Sequence, residues 1–279
     1  SLLVLVAAVF RPAVLVAEEK PTNVILMMSD DQGWGDAGYN GHKILKTPHL
    51  DAMAAAGLRF NRFYSSSPVC SPTRGSCLTG RHPYRYGILY ANAGGPTALS
   101  RYLLPKEEIT LAEVLSGRGY RTGHFGKWHL GDFEGKTRSA PSDHGFDEWF
   151  STARKVATLN PDAASYRHNG NKVAGPLKGD DSKIIMDKAI PFIRSAVKQK
   201  KPFFAVIWFH TPHLPIVAAE KHRKLYPGRK DKEKHYWGAL TAMDEQVGRL
   251  RATLRELDVA RDTMLWFASD NGPEGKKEG

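Results

Sequence analysis

Three continuous apolar runs punctuate this chain, and each ends abruptly in polar residues. Residues 22–28 (TNVILMM) empty into Ser29-Asp30-Asp31, residues 203–209 (FFAVIWF) into His210-Thr211-Pro212-His213, and residues 263–268 (TMLWFA) into Ser269-Asp270-Asn271-Gly272. Runs of this length, bounded by turn residues, predict strands, and the first two read as buried ones. A more mixed stretch, 120–125, predicts a fourth strand that runs into Gly126-Lys127-Trp128-His129-Leu130-Gly131. Helical spacing lies between them. Thr47-Pro48 offers a cap and a first-turn proline, followed by Leu50, Met53, Ala54 and Leu58. Thr110-Leu111-Ala112-Glu113 is a capping-box pattern whose helix Gly117 or Gly119 would stop. Residues 182–198 carry Ile184, Ile185, Ala189 and Ile193 on one side, and 235–257 carry Leu240, Met243, Val247, Leu250 and Leu254.

Strand and helix in alternation predict an α/β fold, with a mostly parallel central sheet flanked by helices. In such sheets ligands sit outside the carboxyl ends of the strands. Asp30, Asp31, Lys127, His129, His210, His213, Asp270 and Asn271 are therefore expected on one rim. The stretches 90–101 and 150–179 are the expected variable loops for a substrate pocket.

Composition changes this picture little. The chain has 279 residues, 41% hydrophobic and 25% charged, enough for a core without disulfide staples. Its formal charge of +11 speaks to association with anions rather than to chemistry. The basic clusters lie between hydrophobic segments and carry no nucleic-acid-binding motif, so no nucleic-acid partner is expected. The start, SLLVLVAAVFRPAVLVAEEK, is interrupted by Arg11-Pro12 and is too short for a stable membrane span. It reads as an export-signal remnant over residues 1–17, which predicts a periplasmic or secreted protein.

The candidate chemistry divides into acids, a cysteine and basic groups. Asp30, Asp31, Asp270 and Asn271 supply only oxygen, the preference of hard cations such as Ca²⁺ or, less favourably, Mg²⁺. Taken pair by pair, they are equally ordinary loop caps. Cys70 could be a nucleophile, a metal ligand, half of a disulfide with Cys77, or inert. Pro72 suits a first helical turn, and a helix through residue 78 would separate the cysteines by about 10 Å, too far for a disulfide. Such a helix places Cys70 at an N-terminus, where backbone N–H groups and Arg74 suit an anionic tetrahedral group. Cys77 is then a small core residue. Lys127 and His129, two apart in an extended chain, would face one site.

Together these segments resemble the type I sulfatase family of the alkaline-phosphatase-like superfamily. Cys70-Ser71-Pro72-Thr73-Arg74, continued by Leu78-Thr79-Gly80-Arg81, is similar to that family's Cys-x-Pro-x-Arg … Thr-Gly-Arg signature. Asn23-Val24-Ile25 into Asp30-Asp31 and Gly33-Trp34-Gly35-Asp36, then the Lys127, His213 and Asp270 segments, follow in the family's order. The resemblance implies that a maturation enzyme oxidises Cys70 to formylglycine. One hydroxyl of its hydrate would take a sulfuryl group from a sulfate ester and the other would release sulfate. It further implies Ca²⁺ on Asp30, Asp31, residue 70, Asp270 and Asn271. Arg74 and Lys127 would hold the diol and the anion, His129 would assist elimination, and His213 would bind sulfate and protonate the leaving oxygen. The substrate class is a sulfated glycan or a simpler sulfate ester. A phosphonate or phosphodiester hydrolase is the rival enzyme, and a non-catalytic anion-binding remnant the rival of another class. Two departures stand out. The family's second lysine, in a Gly-Lys context, has no assigned counterpart in GPEGKKEG, where Lys276 and Lys277 stand. The smaller C-terminal subdomain is not expected in residues 18–279, which read as the N-terminal portion of a catalytic domain, truncated.

Overall fold

The apolar runs become three adjacent parallel strands of a seven-stranded sheet in the computed structural model, which describes residues 21–91 and 103–273. The stretch 1–17, most of 90–101, and Lys276 and Lys277 lie outside the described residues. β1 (Asn23–Ser29) leads into helices α1 (Pro48–Ala56), α2 (Cys70–Thr79), α3 (Pro83–Tyr86) and α4 (Leu111–Ser116). β2 (Arg121–Lys127), β3 (Glu148–Thr152) and the short β4 (Tyr166–His168) and β5 (Asn171–Lys172) come next. α5 (Asp181–Lys198) precedes β6 (Phe203–Trp208); α6 (Glu220–Arg223) and α7 (Asp231–Glu256) precede β7 (Thr263–Ser269). The sheet order is β5-β4-β3-β2-β6-β1-β7. β1, β2, β3, β6 and β7 run parallel, and β4 and β5 close one edge antiparallel.

Burial on both faces explains the unbroken apolar runs of β1 and β6, whereas β7 stands at the sheet edge, only partly buried and with Met264 exposed. Ile25 and Met27 of β1, with Ala205 and Ile207 of β6, pack against the apolar sides of α5 and α7. Their neighbours Val24, Leu26, Met28, Phe204, Val206 and Trp208 face the opposite layer, where Leu78, Tyr86 and Ala112 supply the cover. The spacing of Leu240, Met243, Val247, Leu250 and Leu254 predicts the buried side of α7 correctly, although the helix begins four residues earlier, at Asp231. α4 carries the full Thr110–Glu113 capping box. Among the described residues, no helix is long and apolar enough to cross a membrane.

Two expectations are corrected. α1 ends at Ala56, and Leu58 is exposed rather than part of its apolar side. The stretch 150–179 is not a simple loop: Phe150 and Tyr166 are buried, stacked with ring centroids 4.5 Å apart, within the antiparallel edge. Short strands with few residues carry no periodicity to read, so only pairing reveals them.

A buried acid joins two helices below the rim. Asp244 of α7 accepts the backbone N–H groups of His49 (3.0 Å) and Leu50 (2.7 Å) at the start of α1. Burial pushes its carboxyl up to about 6. A raised folded-state value means that the native chain holds the extra proton between about pH 4 and 6, so this group's contribution to stability falls as pH rises through that window. Acidification from about pH 6.5 to about pH 4.5 should therefore raise the melting temperature more for the unaltered chain than for Asp244→Asn, measured side by side by calorimetry. Gly126 yields a second expectation. Its φ is +105°, and an added Cβ would stand 1.9 Å from the backbone oxygen of Trp208. Gly126→Ala should cost roughly 3 kcal/mol or abolish folding, since a backbone oxygen in a central strand cannot move aside. Unchanged thermal unfolding would refute this.

Candidate active site

The rim is assembled by backbone pairing that continues past the strand ends. Phe209 N–H donates to Met28 O (2.8 Å), Asp30 N–H to Thr211 O (3.0 Å), and Asp270 N–H to Ser29 O (3.1 Å). This ladder brings the residues after β1, β6 and β7 side by side. Asp31 then turns with φ of 63°, a left-handed conformation that Asp tolerates better than most residues, and its N–H donates to Asp270 Oδ1 (3.0 Å). Adjacent acids in an extended strand would point to opposite faces. The turn is what lets both carboxylates approach the same sulfur.

That sulfur belongs to Cys70, the first residue of α2. Its Sγ lies 3.4 Å from Asp30 Oδ1, 4.0 Å from Asp31 Oδ1 and 3.4 Å from Lys127 Nζ. Cys70 and Cys77 are both free, and Cys77 is only partly buried at the edge of the core instead of within it. α2 is held down by Tyr86. The Tyr86 hydroxyl donates to Pro72 O and sits 3.0 Å from Ser76 Oγ, while Gly75 leaves room for its ring. One turn along, Arg74 Nη2 donates to Asp270 Oδ2 (2.7 Å) and pairs with Asp30 Oδ1 (3.2 Å), and Nη1 donates to Lys127 O (3.0 Å). Its guanidinium lies over the Trp208 ring, 5.1 Å from the centroid. Lys127 Nζ donates to both Asp30 oxygens, at 2.9 and 2.7 Å. Asn271 Nδ2 donates to Asp31 Oδ1, and His213 Nε2 lies 3.5 Å from Asp31 Oδ2.

These groups set one another's protonation. Burial alone would raise Asp30, but Lys127 and Arg74 hold its carboxyl far below the usual range. Burial would likewise lower Lys127 and Arg74; their carboxylate partners reverse this and hold both charged. Asp270 goes the other way. Burial and the neighbouring Asp30 charge push it up to about 7. The Cys70 thiol is raised strongly by burial and then by Asp30. His129 is held well below its ordinary value by burial, Lys127 and Arg74, so its ring is neutral.

The donor set fits a hard divalent cation. Three carboxylates, Asp30, Asp31 and Asp270, face two fixed cations, Arg74 and Lys127, which leaves one negative charge over when all three are ionised. Asn271 Oδ1 is buried without a hydrogen-bond partner, an oxygen left over for coordination. Ligand atoms of Asp30, Cys70 and Asp270, and those of Asp31, Cys70 and His213, lie within 4.8 Å of one another in each set.

Two rim residues depart from expectation. His129 does not continue an extended chain from Lys127: its φ is 56°, and glycines in positive φ stand at 126 and 131. Its ring still senses Lys127, Arg74, Asp30 and His213. His210 lies at the strand end, but its ring is bonded to Asp181 and Thr152, away from the acids. The sequence pattern includes Trp208 only as part of an apolar run and gives Tyr86 no role. A tryptophan at the last position of a buried strand, directly before the polar rim, is the one signal that could have marked the stacking partner of Arg74.

A family model described as Sulfatase matches residues 22–279. N-acetylgalactosamine-6-sulfatase of Sus scrofa is 34% identical over 271 residues, covering 91% of this chain and 50% of the relative. Arylsulfatase A of Bos taurus is 33% identical over 280 residues, covering 93% of this chain and 54% of the relative. The chain thus spans about half the length of the curated relatives it matches. Among solved structures, Ps i-CgsB in complex with k-i-k-neocarrahexaose superposes with a TM-score of 0.81 at 28% identity, covering 91% of this chain and 59% of that one.

The environment of residue 70 makes its thiol a poor nucleophile. In the chain carrying unmodified cysteine, alkylation of Cys70 by iodoacetamide near neutral pH should be about tenfold or more slower in the native state than after denaturation. Peptide mass spectrometry reads this, and equal rates would contradict the burial argument.

Proposed function

The chain belongs to the sulfatase family, and on that premise we propose that its rim cluster hydrolyses the sulfate ester of a sulfated sugar, with formylglycine at residue 70 and a bound Ca²⁺. The observation that carries this reading is the position of Cys70 Sγ, 3.4 Å from both Asp30 Oδ1 and Lys127 Nζ and at the start of a ten-residue helix. A protonated, buried thiol there suits a precursor better than a working nucleophile. Once oxidised and hydrated, residue 70 would supply two hydroxyls on one carbon, one to attack sulfur and one to let sulfate go. The calcium ion, held by Asp30, Asp31, Asp270 and Asn271, would supply Lewis acidity at the attacking oxygen and the sulfate oxygens.

This chain's own groups do the rest. Arg74 and Lys127, both buried and charged, present positive charge to an anion at the start of α2, where the first-turn N–H groups add to the field. The ring of His129, neutral and therefore able to take a proton, would accept that of the second hydroxyl as the carbonyl re-forms and the bond to sulfate breaks. His213 donates Nδ1–H to Leu214 O (2.7 Å), which leaves Nε2 as the atom offered to the site. That atom would meet a sulfate oxygen and, when protonated, the leaving oxygen.

The names of the relatives support a sugar sulfate as substrate: one is an N-acetylgalactosamine-6-sulfatase, and a structural neighbour was solved with a neocarrahexaose. The formal charge of +11 suits an anionic polysaccharide. The apolar stretch 1–17, read as an export-signal remnant, supports a periplasmic or secreted protein in this reading.

Co-expression with a formylglycine-generating enzyme should convert the residue 70 peptide from thiol to aldehyde by mass, and the matured chain should cleave an aryl sulfate faster than an aryl phosphodiester. Chelation should remove that activity and Ca²⁺ restore it. Cys70→Ala should lower it by roughly 10³-fold or more. Faster phosphodiester cleavage would sink the proposal in favour of a phosphorus-ester hydrolase. Binding of sulfate esters without turnover, despite confirmed aldehyde, would instead mark an anion-binding protein.

A further inference from the structure

Behind the rim lies a buried polar network that the chemistry above does not use. His210 stands two residues past the end of β6; its Nδ1 is 2.7 Å from Asp181 Oδ2, and its Nε2 is 2.7 Å from Thr152 Oγ1. Asp181 opens α5, and its other oxygen accepts the hydroxyl of Tyr166 from β4. Thr152 ends β3, and its hydroxyl donates to Arg154 O (2.6 Å). All four side chains are buried. The order Asp181–His210–Thr152 has the look of a nucleophilic triad, but proton counting excludes that role.

A threonine hydroxyl has one proton, and here it goes to a carbonyl oxygen that can only accept. Thr152 Oγ1 therefore accepts from His210, so Nε2 carries a proton. Thr152 cannot hand its own proton to the ring, and nothing in this arrangement activates it. Asp181 and Nδ1 share a second proton between them, whether written as imidazolium facing carboxylate or as neutral ring facing acid. Either way the pair is electrically neutral, and the tautomer with a bare Nε2 is excluded. The polar atoms of the pair are matched, and loss of either partner leaves one unmatched.

We propose that His210 is a positioning residue for His213. The ring is fixed at both nitrogens, by α5 on one side and β3 on the other. The turn that carries the ring also carries the site: His213 N–H donates to His210 O (2.7 Å), and Thr211 O receives Asp30 N–H (3.0 Å). Ser182 Oγ of α5, 3.2 Å from Thr211 Oγ1, adds a second tie. Thr152 reaches the other half of the rim as well, since its carbonyl accepts Trp128 N–H (2.9 Å) between Lys127 and His129. The end of β6, the end of β3 and the start of α5 thereby meet at one imidazole, and backbone bonds carry the link on to the residues after β1 and β2. The inference rests on the reading above only for what His213 does to sulfate.

The test is ¹⁵N-histidine NMR of the whole chain, unaltered and as Thr152→Val and Thr152→Ser, with kinetics on the matured forms. In the unaltered chain the His210 Nε2 should show a bound, slowly exchanging proton. Thr152→Val should move the ring signals of His213 and lower kcat/KM for an aryl sulfate by about tenfold, and Thr152→Ser should restore both. If Thr152→Val fails to fold, Thr152→Ala carries the same expectation. A bare Nε2 on His210 overturns the proposal. So does a Val variant with a lower melting temperature but unmoved His213 signals, which is what a purely structural contact would produce. A chain whose His213 signals shift and recover as expected, but which hydrolyses no sulfate ester, sinks the proposed function and supports the positioning role.

Discussion

One buried carboxylate, Asp30, is the constraint around which the rim is built. It accepts two bonds from Lys127, pairs with Arg74 and lies 3.4 Å from Cys70. An isolated ionised acid in this position would cost far more than any single packing contact returns. Lys127 and Arg74 remove that cost, and in doing so they tie β1, β2 and α2 to a single point. The same geometry raises the Asp270 carboxyl, through burial first and the charge of Asp30 second. A site whose protein charges nearly balance, with one negative charge over, is prepared for a hard divalent cation and for an anion beside it.

Around that point the scaffold works by removing freedom. The left-handed turns at Asp31 and His129 redirect the chain where an extended continuation would send side chains to the wrong face. Gly126 lets β2 approach the Trp208 carbonyl, and Trp208 in turn forms the floor beneath Arg74. Tyr86 pins α2, and with it the residue that presents Sγ. Gly126, Trp208 and Tyr86 have no direct part in the chemistry proposed, yet each sets the position of a group that does. The His210 network is the same principle one layer deeper.

Much of this was legible in the amino-acid sequence because long buried strands and amphipathic helices have strong periods. The runs at β1, β6 and β7, the apolar sides of α5 and α7, and the α4 capping box all appear where the pattern places them. Residues directly after those strands could be assigned to one rim from topology alone. What misled was local: Leu58 kept helical spacing after the helix had ended, and the stretch 150–179 hid two-to-five-residue strands too short for a pattern. His129 was placed by an extended-chain argument that a single positive φ defeats.

The sequence by itself determined the fold class, the membership of the rim and the chemical character of its groups, since residue type and spacing act over a few residues. Only the tertiary structure decided which carboxylate is charged, which histidine faces the acids and which turns away, and what stacks on Arg74. Those outcomes depend on groups 40 to 240 positions apart, as in Cys70–Asp30 and Asn271–Asp31, meeting within a few ångströms in a water-poor interior. Coulombic and desolvation effects scale with distance and burial in space, and neither quantity is written in the order of the residues.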